Sequence, residues 1–229
     1  MAEFHRLLAR LKGALESHPP AAPDSHPSNG IALPAGPTAE RAGLVSQFAR
    51  ELEALSAHFI GALTVKEAAA KIAALAVAAG MRIAAVGETV SIKMDPFADA
   101  LASAGCLVLR PGAVSDEDRP AALEQLARCD LGVVEADCAI ASTGTFAVLT
   151  TAGRPSSLTL LPPTSVIVAP ANRVVPDLAA ALSMVGPAAL KSQRLSLVTG
   201  PSRTADIEKR IVLGVHGPKV LYGALIWPR

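Results

Sequence analysis

MRIAAVGETVSIKMDPFADALASAGCLVLRPGAVSDEDRPAALEQLARCDLGVVE, residues 81–135, is the stretch on which the fold turns. The apolar runs Met81–Val86, Cys106–Leu109 and Leu131–Glu135 alternate with helix-forming stretches at Pro96–Ala104 and Asp118–Arg128. Short apolar strands separated by helices of this length are the signature of βαβ units, because parallel strands need a crossover and helices then cover both faces of the sheet. The expected class is α/β, a parallel or mixed sheet with flanking helices.

Upstream, Leu44, Phe48, Leu52, Leu55 and Phe59 recur at helical spacing and predict one helix over residues 38–62. A second helix is expected over Val65–Ala79, opened by a capping box in which Thr64 is the N-cap and Glu67 lies three residues on, and stopped by Gly80. Further upstream, Phe4, Leu7, Leu8, Leu11 and Leu15 predict an amphipathic helix within residues 1–17. The Pro-, Gly- and Ser-rich run at 18–37 reads as a linker, so the α/β domain is expected over 38–229.

Downstream, strand-like runs at Ala139–Ala141, Phe146–Thr150 and Ser157–Leu161 are punctuated by turns at Thr143-Gly144 and Gly153-Arg154-Pro155, which predicts hairpins added to the sheet. A strand at Ser165–Ala169, a helix from Pro176, a strand at Leu195–Thr199, a helical turn at Ala205–Arg210 and a closing strand at Val220–Ile226 complete the pattern.

Composition excludes several classes. Apolar residues make up 51% of the chain but aromatic ones only 3%, so the core is aliphatic. With 21 basic and 20 acidic side chains, the net charge of +1 provides no basic stripe, and one Trp and one Tyr provide no stacking platform for nucleic acid. The opening residues lack the apolar run of a secretory signal and no segment is long and apolar enough for a membrane span, so the cytoplasm is the expected compartment. Cys106, Cys129 and Cys138 form no C-x-x-C pair, so neither a metal site nor an iron–sulfur cluster is expected, and no cofactor is assigned.

Three polar segments are candidates for chemistry: Glu135–Thr145, Gly200–Glu208 and Gly214–Lys219. The first two follow expected strands, where ligands of open α/β sheets collect. In the second, GPSRTADIE, the amides opening a short helix and the guanidinium of Arg203 suit an anion, while a well-capped strand-to-helix turn needs the same residues. In the third, GVHGPK, Gly214 and Gly217 place His216 near Lys219; the His serves as base, ligand or turn residue. In the first, Thr143 offers a hydroxyl and Gly144 a permissive backbone, as a ligand or a turn requires. Dinucleotide, P-loop, nucleophile-elbow and zincin motifs are all absent.

The block GPSRTADIEKRIVLGVHGPK, together with ADCAIASTGT and LLPPTSVIVAPANRVVPDL, resembles the LUD-domain family over roughly Ala39 to Arg229. The resemblance implies a fold similar to the ribose-phosphate isomerase and CoA-transferase superfamily. It also implies a cluster-free component supporting oxidation of L-lactate to pyruvate alongside iron–sulfur partner proteins. A small carboxylate is the implied ligand, with Arg203, His216 and Lys219 as its charged contacts. Ser202, Thr204 and Thr143 would be neutral donors, and Gly144 and Gly217 would allow close approach. Rival readings are a free-standing isomerase- or transferase-type enzyme acting on a sugar phosphate or acyl substrate, and a purely structural interaction subunit.

Overall fold

The computed structural model describes residues 39–189, 194–205, 211–213 and 217–227. The N-terminal helix and the linker expected over residues 1–37 lie outside them. The first described element is helix α1 (Ala39–Ala54), followed by strand β1 (His58–Leu63), α2 (Val65–Ala78) and β2 (Ile83–Val86). Next come α3 (Asp95–Ser103), β3 (Leu107–Leu109), α4 (Arg119–Ala127), β4 (Leu131–Glu135), β5 (Cys138–Ile140) and β6 (Thr145–Leu149). Helix α5 (Ser156–Leu160), β7 (Thr164–Pro170), β8 (Val174–Val175), α6 (Leu178–Ala189) and β9 (Leu195–Val198) lead to β10 (Arg203–Ala205), β11 (Ile211–Leu213) and β12 (Val220–Ile226).

Strands β1, β12, β7, β4, β2 and β3 lie side by side in that order in a six-stranded sheet, all in parallel. Because both faces are covered, β4 (LGVVE) and β7 (TSVIVAP) are buried at every position, the near-continuous apolar run such strands require. Their side chains still alternate. Leu131, Val133, Val166 and Val168 enter one core with α2 and α3, whereas Val134, Ile167 and Ala169 enter the other with α1, α4 and α5. The second core is closed by a four-stranded sheet in the order β8-β5-β6-β9. Its far face carries α6, where Ala181 and Val185 meet Ile140, Leu149 and Val175.

The capping box forms as expected: the Thr64 hydroxyl accepts from the Glu67 amide, and the Glu67 carboxylate accepts from Thr64 N–H at 2.9 Å. These backbone and hydroxyl bonds hold the Glu67 carboxyl below its ordinary pKa.

Three expectations need correction. The helix expected to run to residue 62 stops at Ala54, since Ser56 takes a left-handed φ of 64° and the aromatic, strand-favouring HFIGAL pairs with β12. Phe59 nevertheless shares the helical stripe because it packs edge-on against Phe48, with ring centroids 6.2 Å apart. Ser157–Leu161 is not a strand: Ser157–Leu160 lie in α5, a five-residue helix led in by Pro155, and Leu161 follows as its C-cap. A short apolar run does not settle period by itself.

The expected hairpins do not extend the main sheet. The Ala136 amide donates to Val168 of β7 and the next amide, Asp137, to Ala147 of β6, so the chain passes from one sheet to the other within two residues. Of the helical turn expected over Ala205–Arg210 only Ala205 is described; it ends β10, in which Arg203, Thr204 and Ala205 stand opposite Leu213, Val212 and Ile211 in an antiparallel pair. Residues 206–210 lie outside the described ones.

Candidate functional site

The connection through α3 carries the chain from β2 to β3, and the connection through α4 carries it back past β2 to β4. The two helices pack on opposite faces. This is a topological switch point, and the crevice beyond the carboxyl ends of β2 and β4 is where an open α/β sheet ordinarily receives its ligand.

Here the chain fills that crevice with its own carboxylate. Glu135, the last residue of β4, is 1% exposed. It accepts N–H bonds from Val90 at 3.0 Å, Ser91 at 2.9 Å and Ile92 at 3.1 Å, and a further bond from the Ser91 hydroxyl. Consecutive amides converging on one oxygen pair form an anion nest, and this one is occupied internally.

Arg154, 2% exposed, fixes the other side. Its Nη1 donates to the Glu135 carbonyl at 2.7 Å, and its Nη2 lies 3.1 Å from the Asp137 carboxylate, which also accepts from Leu149 N–H at 2.7 Å. An ion pair at that depth is held by directed bonds because each charge alone would be costly to desolvate. At the mouth, the Glu88 amide donates to the Gly153 carbonyl at 3.0 Å, and its carboxylate accepts from the Thr151 hydroxyl. A side chain at Gly153 would overlap that carboxylate.

Of the residues expected to bind ligand, Thr143, Gly144, Ser202, Gly217 and Lys219 are described, and they lie away from this crevice. Thr143 ends a 3-10 turn between β5 and β6, exposed, with its hydroxyl 2.7 Å from that of Thr145. Thr145 in turn donates to Thr199 Oγ1 at 3.1 Å. Gly144 adopts φ 60°, and any Cβ there would collide with the α1 backbone at Leu52, so two separate constraints demand glycine. Beyond Thr199, Ser202 N–H donates to Pro218 at 2.9 Å, and a Cβ at Gly217 would lie 3.1 Å from that of Ser202. Lys219 is exposed, and its amide bonds Pro163 at 2.8 Å, just before β12 and β7 begin.

The described residues of these segments therefore lie toward the amino ends of the central strands, not the carboxyl ends. Gly200–Glu208 does follow a strand, but β9 is an edge strand of the small mixed sheet, paired antiparallel with β6, where the carboxyl-end rule has no force. Nor do the Thr204 amides open a helix, since Thr204 stands opposite Val212 in the β10–β11 pair. The side chains of Arg203 and Thr204, and all of His216, lie outside the described residues.

Sequence reasoning missed Arg154, Glu88, Ser91 and Thr151. A signal for the first was present: between Glu135 and Arg173, the only charged residues are Asp137 and Arg154. Two opposite charges alone in such an apolar stretch point to a buried pair.

The cysteines are separated and buried. Burial, reinforced by Asp130, pushes the Cys129 thiol up to about 11; burial and Asp137 do the same for Cys138. Cys106 is raised by the same effects. Among the described residues no cluster of three or more His, Cys, Asp or Glu is placed to hold a metal ion, and no helix is long and apolar enough to cross a membrane.

Similarity to known proteins agrees with this architecture. A crystal structure of a DUF162 family protein from Deinococcus radiodurans superposes with a TM-score of 0.60 over 83% of this chain and 99% of that one, at 19% identity, a likeness of fold. Proteins named Lactate utilization protein C are similar over shorter stretches. That of Macrococcus caseolyticus is 35% identical over 109 residues, 45% of this chain and 47% of the relative. That of Exiguobacterium sp. is 34% identical over 108 residues, with the same shares. The matched segment thus spans about half the length of these relatives. The LUD domain model matches residues 45–225, from within α1 to the end of β12, and the chain belongs to the LUD domain family.

Proposed function

We propose that the chain is a cytoplasmic lactate utilisation component, a cluster-free subunit that supports oxidation of L-lactate to pyruvate with iron–sulfur partner proteins. The observation that carries this is the shared name of its relatives, Lactate utilization protein C, in several organisms. The oxidation releases two electrons and two protons, and the partners' clusters take the electrons. The buried, widely separated thiols of this chain, all raised in pKa, are poor cluster ligands, which supports a division of labour.

The ligand is a small carboxylate bound at the amino-end cluster. Arg203 grips it by two parallel bonds, Lys219 adds a point charge and His216 contributes a pH-dependent donor. The hydroxyls of Ser202, Thr204 and Thr143 complete the contacts, and Gly144 and Gly217 keep the backbone close. The placement of Thr143, Ser202, Gly217 and Lys219 at one end of the sheet supports this. A sugar phosphate at the switch point is disfavoured, because the amides that would cradle it already hold Glu135.

Calorimetry with L-lactate and pyruvate tests the site. Loss of a charge-assisted bond of about 1.5–3 kcal/mol weakens binding roughly ten- to hundred-fold in Arg203→Ala. A gene deletion tests the role: growth on L-lactate should fail and return with the wild-type gene. Undiminished growth on L-lactate without the gene would overturn the proposal.

A further inference from the structure

We propose that the hydroxyl chain Thr143–Thr145–Thr199 makes the amino-end cluster prefer an α-hydroxy carboxylate to the matching α-keto acid, which rests on that cluster binding a small carboxylate. Phe146 of β6 pairs with Val198 of β9, so Thr145 and Thr199, the next residues in antiparallel register, stand side by side. Thr145 is 4% exposed, whereas Thr143 and Thr199 both face water. The Thr145 hydroxyl lies 2.7 Å from that of Thr143 and 3.1 Å from that of Thr199. A buried hydroxyl thus couples two exposed ones, and the outer oxygens are no further apart than two hydrogen bonds. The turn that carries Thr143 is fixed from both sides, by Gly144 against the α1 backbone and by Ser142 N–H donating to Pro176 at 3.0 Å.

The preference follows from counting hydrogens, since each hydroxyl has one to donate. Thr145 gives its hydrogen to Thr199, because its other acceptor, the Thr143 carbonyl, is farther at 3.4 Å. Thr143 then donates inward to Thr145, which leaves only lone pairs on its outer side. Thr199, having accepted, turns its own hydrogen outward. Reversing both bonds exchanges the two ends and frees no second hydrogen. In either direction the chain shows a ligand one donor and one acceptor.

An α-hydroxy carboxylate matches both ends: its carboxylate accepts from Thr199 and its hydroxyl donates to Thr143. An α-keto acid brings acceptors to both positions, so its carbonyl meets the Thr143 lone pairs unless the Thr143–Thr145 bond breaks. One hydrogen bond left unmade weakens binding roughly five-fold. Lys219, exposed at the same end, attracts both acids alike because each carries one carboxylate. It supplies affinity, and the buried Thr145 hydroxyl supplies the discrimination. With L-lactate as substrate, such a site holds the substrate and lets the pyruvate go.

Calorimetric titration of the full chain with L-lactate and with pyruvate is the test, and L-lactate is expected to bind roughly five-fold more tightly. Thr145→Val unlinks the outer hydroxyls, so pyruvate should gain and the preference should vanish. Thr145→Ser keeps the linking hydroxyl and should keep the preference. A threonine pair that serves stability alone would lower the melting temperature in Thr145→Val and leave the preference unchanged, which overturns the proposal. Should Thr145→Val fail to fold, Thr199→Val, at an exposed position, decides: a lost preference supports the chain's role and a retained one overturns it. Equal affinities in the wild type overturn the preference and leave the carboxylate site standing. Binding of neither acid removes that site, and the preference with it.

Discussion

Glu135 and Thr143 are a few residues apart in the chain, yet one ends a strand at the carboxyl edge of the parallel sheet and the other lies in a turn packed on α1. At the carboxyl edge, amides, hydroxyls and an arginine converge on Glu135 and Asp137 until the groups a ligand would want are taken. Around Thr143 and Ser202, hydroxyls are bonded to one another and to backbone while Thr143 and Lys219 still face water. The difference teaches that topology locates a crevice, but the state of its hydrogen bonds decides whether that crevice can receive anything. A fold-level rule points to the first region; the inventory of open polar groups points to the second.

Removing one partner of the buried ion pair should have the largest effect. Arg154→Met strands the Asp137 charge and should lower unfolding free energy by about 3–5 kcal/mol in urea titrations. Adding Asp137→Asn should recover part of that loss, and a purely additive double variant would mean that the two charges do not interact. Glu135→Gln comes next. A carboxamide keeps the shape but turns its NH2 toward amide donors, for an expected loss of about 1.5–3 kcal/mol. A neutral result would show the nest to be dispensable and the crevice available.

At the amino end, Gly144→Ala must place a Cβ against the Leu52 backbone in a left-handed conformation. The expected loss is about 1–3 kcal/mol, read from the thermal midpoint. Lys219→Ala sits at the bottom of the scale. Its exposed side chain should change stability by less than about 0.5 kcal/mol while weakening carboxylate binding, so a large loss of stability would mark it as structural.

How much of this was legible in the sequence depends on how far apart the partners are. Strands β4 and β12 were readable to their end residues because a continuous apolar run is a local property, and so was the Thr64–Glu67 box. β1 was hidden because Phe59 serves the same core as Phe48 and so continues a helical stripe that the backbone abandons at Ser56. α5 was hidden for a similar reason: its helical backbone packs where Gly132 leaves room for the Leu158 carbonyl, a fact stored two strands away. The polar segments at Thr143, Ser202 and Gly217 were visible as composition. The role of Glu135 was not, since it rests on the amides of Val90, Ser91 and Ile92, some forty residues upstream, and an amide carries no sequence signature.

The central claim is that a ligand binds at the amino-end cluster and not in the occupied crevice. Amide resonances of the full-length protein followed by NMR during titration with L-lactate test it directly. Perturbation is expected at Thr143, Gly144, Ser202, Gly217 and Lys219, with Val90, Ser91 and Ile92 unmoved. Shifts concentrated at Val90–Ile92, with the amino-end residues silent, would contradict it.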